Sequence, residues 1–520
     1  MIKRRKFIQQ AGWSALGIGA MAYLPGCASK SISQAGELAS PESQNVDSQG
    51  LIDFFKAVES SGLEFHSIMV NRNGKTILEG WWHPFRKEYV HALYSLSKSF
   101  TSTAIGMLYD EGRLSVQNRV ISFFPDKLPA SVSDNLASMR IYDLLTMHTG
   151  HEEDTMGRIW PSPDGDWVKA FLSLEVPRKP GTHFLYNTGA TYMLSAIVQK
   201  LSGQKLIDFL RPRLFEPLGF KGFDWEEDPR GINVGGYGLR VRTQDILHFG
   251  QLYLQKGQWK GKQLLSADWI EEATSKQVDS QDNDGDWGQG YGYQFWRCKP
   301  GCYRGDGAHG QYCIVVPDKN AVIAITSETR DMGASMQLVW DHILPAMKGA
   351  DEKPVEGASY AKLRQISAQL SLPIDAGPAE SPLASQLNGK TFFFKDNPFK
   401  AEKASFTFQA DECEVVFVEN GKQIRLKSGL NRWITADNKK EGNTLFSIPG
   451  RTPMPTKISS YCHWEGENAL VMKLKYVENV HHDIFTFTFA DQEMKLSFDN
   501  SLSYRSEQGE ERPDLWAEMR

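Results

Sequence analysis

The stretch that decides the fold is Tyr94–Phe100, which has the sequence Tyr-Ser-Leu-Ser-Lys-Ser-Phe. Apolar residues then recur at helical spacing over 104–108, and Gly112 is a candidate helix stop. The pattern predicts that Ser95 lies at or near the N-terminus of a helix. Residues three apart share one helical face, so Lys98 is predicted to lie directly beneath the Ser95 hydroxyl.

A serine and a lysine one turn apart form a plausible nucleophile and base. A neutral serine hydroxyl is a weak nucleophile, and a desolvated lysine with a lowered pKa can take its proton. Backbone N–H groups at a helix start can also stabilise an oxyanion. A bare Ser-x-x-Lys recurs by chance, however, and taken alone it is equally the pattern of a capping serine followed by a solvated lysine.

Two further segments favour the catalytic interpretation. The turn-rich stretch Pro180–Gly189 leads into an amphipathic helix and places Tyr186 at a loop-to-helix junction. A tyrosine hydroxyl near a lysine can relay protons, although on its own Tyr186 is also a typical packed aromatic. The glycine-rich stretch Gly305–Gln311 enters a strand predicted over 311–316. Its small residues let a substrate approach the strand, and the N–H of Gln311 is a candidate oxyanion donor.

The order and spacing of these blocks resemble those of the β-lactamase-related serine hydrolases, which include class C β-lactamases, D-aminopeptidases, certain esterases and 6-aminohexanoate-oligomer hydrolases. The resemblance covers about residues 60–347. Three further stretches match: 141–150 (IYDLLTMHTG), 214–219 (LFEPLG) and 235–245 (GGYGLRVRTQD).

This resemblance implies an α/β (α+β) fold, with a mixed antiparallel sheet beside a helical subdomain as in β-lactamases and transpeptidases. It also implies Ser95 as nucleophile, Lys98 and Tyr186 as the acid/base pair, and the N–H groups of Ser95 and Gln311 as the oxyanion hole. Whether Lys98 or Tyr186 is the general base stays open.

The sequence departs from the family pattern at two places. Asn187 directly follows the tyrosine, where the family has Tyr-x-Asn, so a substrate-binding role for Asn187 is in doubt. In the third block Ala308 takes the place of the usual cation. His309 follows it and is catalytic only if the strand bulges; otherwise it is an ordinary polar residue. Gly310 is a further substrate-binding candidate. Without a cation to hold a β-lactam carboxylate, efficient β-lactamase activity is not expected.

Composition shifts divide the chain into five predicted segments: a signal peptide at 1–27, a flexible tether at 28–50, a catalytic domain at 51–350, a linker at 351–382 and a β-rich, barrel-like module at 383–510. Short strand-like runs separated by turns predict the all-β module. We expect that module to border the cleft or to mediate association, to carry no catalytic group, and to keep His481 and His482 on its surface.

The N-terminal sequence resembles an export signal. A twin arginine at Arg4 and Arg5 followed by a short apolar stretch resembles a Tat signal, and the stretch is too short to span a bilayer. Leu24–Cys27 resembles a lipobox, which predicts lipidation of Cys27; cleavage without lipidation is the alternative. We therefore expect a bacterial cell-envelope protein that faces the periplasm or the exterior and touches the membrane only through its lipid anchor.

Composition excludes some classes of function. The formal net charge of −5 argues against a nucleic-acid partner. No zinc-ligand spacing occurs, and neither a metal nor a cofactor is predicted. Cys298 and Cys302 flank a turn and are predicted to form either a disulfide or two free thiols.

The sequence therefore predicts an exported serine hydrolase that cleaves an ester or amide bond in a small molecule or short peptide through an acyl-enzyme. Two alternatives stay open. One is a peptidase acting on D-amino-acid peptides of the cell wall; the other is a non-catalytic binding or sensing lipoprotein on the same scaffold. The oligomeric state is not predicted.

Overall fold

The computed structural model describes residues 38–281, 284–349, 352, 359–378, 381–436, 457–505, 509–510 and 512–520. The predicted signal peptide, its Cys27 and the first part of the tether lie outside these residues.

The helices and strands of the first part of the chain surround one central sheet. The helices are α1 (Ser48–Ser61), α2 (Ser97–Asp110), α3 (Asp134–Ser138), α4 (Ile141–Leu145), α5 (Met156–Ile159), α6 (Trp167–Leu172), α7 (Thr188–Ser202), α8 (Leu206–Leu210), α9 (Glu216–Leu218), α10 (Thr243–Leu254), α11 (Ala267–Thr274), α12 (Met332–Leu338) and α13 (Leu344–Ala346). The strands are β1 (Glu64–Arg72), β2 (Lys75–Trp81), β3 (His91–Ala92), β4 (Asp224–Trp225), β5 (Leu239–Val241), β6 (Gln258–Trp259), β7 (Lys262–Gln263), β8 (Trp296–Arg297), β9 (Tyr303–Gly307), β10 (Gln311–Val316) and β11 (Ala321–Glu328).

The central sheet joins the two ends of this region. Its order is β2-β1-β11-β10-β9-β8, and its neighbouring strands run antiparallel. β11 is apolar along almost its whole length because both faces of the sheet are covered. Val322 and Ala324 join the core beneath α2, α7 and α10, whereas Ile323 and Ile325 join the core against α1. Alternation along the strand therefore feeds two separate cores.

The C-terminal module is a closed, barrel-like sheet. Its helix is α15 (Pro382–Leu387), preceded by α14 (Tyr360–Ala368). Its strands are β12 (Thr391–Phe394), β13 (Ala401–Gln409), β14 (Glu412–Glu419), β15 (Lys422–Leu430), β16 (Ile434–Ala436), β17 (Ile458–Glu465), β18 (Ala469–Tyr476), β19 (His482–Ala490), β20 (Glu493–Asn500) and β21 (Leu515–Met519). The order is β15-β14-β13-β12-β21-β20-β19-β18-β17-β16, and a parallel pairing of β15 with β17 closes it.

Three predicted boundaries differ from the structure. The end of the tether is folded: the 3₁₀ turn Pro41–Gln44 precedes α1, and Val46 is buried where it bridges Met347. The linker contains α14, which packs on α1 and β2 through apolar residues such as Leu363. The module continues past 510, because β21 pairs with both β12 and β20. Composition alone did not reveal the apolar residues that hold these segments.

Cys298 and Cys302 are free, buried thiols, as are Cys313, Cys413 and Cys462. The Cys298 backbone N–H donates to the Cys302 carbonyl, so the pair does face across the predicted turn. In the described part of the chain, no helix is both long and apolar enough to cross a membrane.

Candidate active site

Ser95 lies in a tight turn that runs directly into α2. The 3₁₀ turn Tyr94–Leu96 begins with Tyr94 at a φ of 49°, a left-handed conformation that residues with a Cβ seldom adopt. The predicted helix follows at Ser97, and Gly112 ends it with a φ of 69°. Ser95 is half-buried, whereas Lys98 is fully enclosed.

The Lys98 ammonium lies between the nucleophile and two other oxygens. Nζ is 3.2 Å from Ser95 Oγ, 3.3 Å from Thr188 Oγ1 and 2.9 Å from the Gly236 carbonyl oxygen. Burial lowers the pKa of Lys98 to about 8, although the charges of Asp154 and Asp306 act in the opposite direction. A lysine with this pKa exists partly as the free amine at mildly alkaline pH and can accept a proton there.

The phenol of Tyr186 completes the cluster. Lys98 Nζ lies 4.9 Å from the centre of the Tyr186 ring, and the Tyr186 hydroxyl interacts with the side chain of Ser95. Burial and the nearby Asp306 carboxylate raise the pKa of Tyr186 well above its usual range. The ring stacks on Trp296, which fixes its plane. Tyr186 is therefore held as a neutral phenol that can donate a hydrogen bond.

Asn187 does not face the site. Its Oδ1 accepts from Gly189 N–H, Thr155 N–H and the Thr155 hydroxyl, its Nδ2 donates to Thr149 Oγ1, and the residue is fully buried. Asn187 caps α7 with both polar side-chain atoms hydrogen-bonded within the protein, so its position does not support the substrate-binding role already in doubt from the sequence. The next residue, Thr188, contacts Lys98 through its hydroxyl.

The third block brings a strand against the nucleophile turn. A Cβ on Gly307 would lie 2.0 Å from the Leu93 carbonyl oxygen and 3.1 Å from Leu96 N, so only glycine permits this approach. The following N–H, that of Ala308, donates to no acceptor within the described residues, and Ala308 is partly exposed. This N–H follows the glycine that packs on the nucleophile turn and is a candidate oxyanion donor.

Gln311 has a supporting position instead. It pairs with Gly307 across the hairpin, is fully buried, and donates its side-chain amide to the Ala308 and Ser327 carbonyls. We therefore move the oxyanion-hole assignment from the N–H of Gln311 to that of Ala308, three residues earlier in the chain. Gly310, at a φ of 88°, packs so closely that a Cβ would lie 2.2 Å from Ser327 Oγ; it shapes the turn.

His309 is buried against other rings. Its ring centre lies 5.4 Å from that of Tyr94 and 4.7 Å from that of His481, and its Nε2 accepts from Arg505 at 2.8 Å. Its φ of 67° belongs to the turn that joins β9 to β10. The ring packs beside the residue that precedes the nucleophile.

A family model described as Beta-lactamase matches residues 57–348, more than half of the chain. The chain belongs to the Beta-lactamase family.

Its relatives include hydrolases of several kinds. The chain is 24% identical over 286 residues to a 6-aminohexanoate-dimer hydrolase of Paenarthrobacter ureafaciens, covering 51% of this chain and 73% of the relative. It is 27% identical over 278 residues to penicillin-binding protein 4 of Amycolatopsis lactamdurans, covering 44% and 70%. A penicillin-binding protein homologue from Caulobacter crescentus superposes with a TM-score of 0.49 at 16% identity, covering 60% of this chain and 99% of that one. This Beta-lactamase family member is a serine hydrolase.

The C-terminal module of this Beta-lactamase family member contributes residues that sequence reasoning missed. His481, predicted to be a surface residue, is buried, and its Nε2 lies 2.5 Å from Tyr94 Oη. Its Nδ1 lies 2.8 Å from Glu328 Oε1, at the end of β11. In the sequence, only the adjacent pair His481 and His482 drew attention to this position, and nothing in the pattern indicated a contact with Tyr94.

A buried charge network lies behind this contact. Glu64, His66 and Glu328 bring their ligand atoms within 4.8 Å of one another, a spacing that could hold a metal ion. The ammonium of Lys475, from β18, contacts both carboxylates and takes the central position. Burial alone would raise the pKa of Glu328, but Lys475 and the two neighbouring histidines hold it well below its usual range. The negative charges of Glu64 and Glu328 are thus compensated by the Lys475 ammonium.

Proposed function

We propose that this enzyme hydrolyses ester or amide bonds through an acyl-enzyme on Ser95, with Lys98 as the general base and Tyr186 as the proton donor. The observation that carries the proposal is the 3.2 Å contact between Lys98 Nζ and Ser95 Oγ, made by a lysine whose pKa is lowered to about 8. The opposite pKa shifts of the lysine and the phenol favour this division of roles over the reverse.

The first half-reaction forms the ester. Ser95 Oγ attacks the carbonyl carbon of the substrate, and its proton passes to Lys98 Nζ. The oxyanion of the tetrahedral intermediate accepts hydrogen bonds from the N–H groups of Ser95 and Ala308. The bond to the leaving group then breaks, and the leaving oxygen or nitrogen takes a proton through Tyr186, which is replenished from the Lys98 ammonium.

The second half-reaction releases the acyl group. A water molecule attacks the ester carbonyl while Lys98, again neutral, takes its proton. The same N–H groups stabilise the second oxyanion. Collapse of the intermediate returns a proton to Ser95 Oγ and frees a carboxylic acid, which restores the enzyme.

We also propose that β-lactams are poor substrates. With Ala308 as the oxyanion donor, Gly305 stands where the family places a cation, and the nearby Arg505 guanidinium is directed to His309 Nε2. A chromogenic cephalosporin should therefore turn over far more slowly than small esters or amides of simple acids. Hydrolysis of the cephalosporin at a rate comparable to the best ester would contradict this part of the proposal.

Ser95→Ala tests the nucleophile. Turnover of small esters and short amides should fall to background, and a fluorophosphonate probe should label the wild-type enzyme at Ser95 and leave the variant unlabelled. Ser102→Ala is the matched control, because Ser102 lies on the same helix, is fully buried, and its hydroxyl has no partner among the described residues. Ester hydrolysis that survives Ser95→Ala would refute the proposal.

We propose in addition that the protein is exported by the Tat pathway and anchored by a lipid on Cys27. The twin arginine at Arg4 and Arg5 and the lipobox-like Leu24–Cys27 support this. Replacing both arginines with lysine should retain the protein in the cytoplasm. Cys27→Ala should abolish incorporation of a labelled fatty acid; incorporation that persists would contradict the anchor.

A further inference from the structure

The residue before the nucleophile is held by the C-terminal module. Tyr94 Oη lies 2.5 Å from Nε2 of His481, a residue between β18 and β19 that lies 387 positions away in the sequence. The Tyr94 ring also packs against Ala92, Val480 and the partly exposed Ala308. Two elements of the site, the nucleophile turn and the third block, therefore meet the module at one point.

The His481 ring is fixed from its other side as well. Nδ1 lies 2.8 Å from Glu328 Oε1 and 3.0 Å from Ser501 Oγ. A carboxylate only accepts hydrogen bonds, so Nδ1 carries a proton towards Glu328, and Nε2 accepts from the Tyr94 hydroxyl when the ring is neutral. Glu328 is itself held by the ammonium of Lys475. The chain Lys475, Glu328, His481, Tyr94 is thus continuous from the module to the turn.

This contact acts on a strained position. Tyr94 has a φ of 49°, and such conformations persist where the surroundings impose them. Ser95 is the next residue, so any relaxation of Tyr94 moves both the Ser95 hydroxyl and its N–H. Shifts of about 1 Å at a reacting group can cost two orders of magnitude in rate.

We propose that His481 is a positioning residue for catalysis: by its hydrogen bond to Tyr94 it holds the turn that aims Ser95 at Lys98 and at the oxyanion donors. The C-terminal module is then a working part of the catalytic unit. This inference rests on the proposed function, because it presupposes that Ser95 is the nucleophile.

The test separates positioning from general stabilisation with a double-mutant cycle. Tyr94→Phe removes only the hydroxyl, and His481→Phe removes the acceptor while keeping a ring of similar size. Each single variant should lower kcat about tenfold or more while changing KM less than threefold. Because both remove the same hydrogen bond, the double variant should lose little beyond either single variant.

His482→Gln is the matched control. His482 is adjacent and contacts the same carboxylate through Nδ1 at 2.9 Å from Glu328 Oε2, and its replacement should leave kcat within about twofold of wild type. His481→Gln, whose amide oxygen can accept from Tyr94, should restore part of the lost kcat. Such partial rescue is not expected if His481 only stabilises the module.

Several results would overturn the inference. A Tyr94→Phe enzyme with wild-type kcat does so directly, even if the His481 variants fail to fold. Losses that multiply in the double variant would also do so. The fluorophosphonate probe distinguishes this failure from failure of the proposed function: equal labelling rates of Ser95 in wild type and Tyr94→Phe reject the positioning role alone, whereas absence of labelling in wild type rejects the proposed function.

Discussion

Lys475, on β18 of the C-terminal module, has no exposed side-chain surface and places its ammonium in direct contact with the carboxylate of Glu64 at the start of β1. The same ammonium contacts Glu328, so one lysine neutralises two largely enclosed carboxylates that face each other at the ends of the paired strands β1 and β11. Removal of one partner of a buried ion pair leaves an uncompensated charge, which is far more costly than loss of an exposed pair.

Lys475→Met should therefore destabilise the whole protein. The expected loss is about 3–5 kcal/mol in the free energy of unfolding, measured by urea denaturation at neutral pH. Lys473→Met is the control, since Lys473 lies two residues away on the same strand and is partly exposed; it should change stability by less than about 1 kcal/mol. A Lys475→Met protein with wild-type stability would show that the network is not needed to join the two parts.

The sequence could predict relations between neighbouring residues, but not contacts between distant parts of the chain such as those of this network. Ser95 and Lys98 were predictable because their relation is local: three residues on a helix whose apolar spacing and Gly112 stop are plain in the sequence. β10 was predictable for the same reason, as a short apolar run entered from a glycine-rich stretch. The contact of His481 with Tyr94 joins residues 387 apart, and no local pattern records it.

Errors within the site have a different cause. Asn187 was a doubtful substrate-binding candidate because it follows the tyrosine directly, and its side chain satisfies the N-terminus of α7 and the Thr155 hydroxyl. Gln311 was chosen as oxyanion donor because it begins a strand, whereas the free N–H belongs to Ala308 in the turn before it. β9 was not predicted, since Gly305 and Gly307 resemble a loop in the sequence, yet they are glycines because the strand lies against the helix.

Gly307→Ala tests that close approach. The added Cβ would meet the Leu93 carbonyl oxygen at 2.0 Å, so β9 must move away from the nucleophile turn and take Ala308 with it. We expect kcat to fall by about 100-fold, as after loss of an oxyanion-hole donor. Ester turnover and fluorophosphonate labelling both measure it.

Gly157→Ala is the control for this substitution. A Cβ at Gly157 would meet nothing within 4 Å, and the residue lies in the short helix α5, where alanine is favoured. Its kcat should match wild type. Wild-type turnover by Gly307→Ala would mean that the close approach of β9 is not needed to place the Ala308 N–H as oxyanion donor.

The pH dependence of turnover should follow Lys98. Burial lowers its pKa to about 8, and only the neutral amine accepts a proton from Ser95. The value of kcat/KM should therefore rise about tenfold per pH unit at low pH and level off above about pH 8. A profile that is flat between pH 6.5 and 9.5 would exclude Lys98 as the base.

Asp154→Asn should shift that profile to lower pH. The Asp154 carboxylate is one of the charges that raise the pKa of Lys98, and its removal makes the neutral amine easier to form. Asparagine keeps an oxygen for the N–H groups of Thr188 and Met156, which Asp154 Oδ1 accepts now. Glu153→Gln, at an adjacent exposed carboxylate paired with Arg158, is the control and should leave the profile in place.

Acid should weaken the protein through His66. Burial, followed by the charge of Lys475, lowers the pKa of the His66 imidazole to about 4, from an ordinary value near 6.5. Between these values the unfolded chain binds a proton that the folded protein does not, so stability is greatest above pH 6.5 and is lost as the pH falls towards 4. The contribution of this one group is about 3 kcal/mol.

Urea unfolding at pH 7, 6, 5 and 4.5 measures the effect. His66→Gln should flatten the dependence by about the amount that His66 contributes. The pKa of His151 is also lowered to about 4 by burial, and its ring packs on Phe171 in the other core. His151→Gln should therefore flatten the dependence independently, and the two effects should add. A wild-type free energy of unfolding that is constant from pH 7 to 4.5 would contradict the assignment of His66 and His151 as buried neutral imidazoles. Both must lose a proton on folding at any pH where the unfolded chain is protonated, and that loss lowers stability.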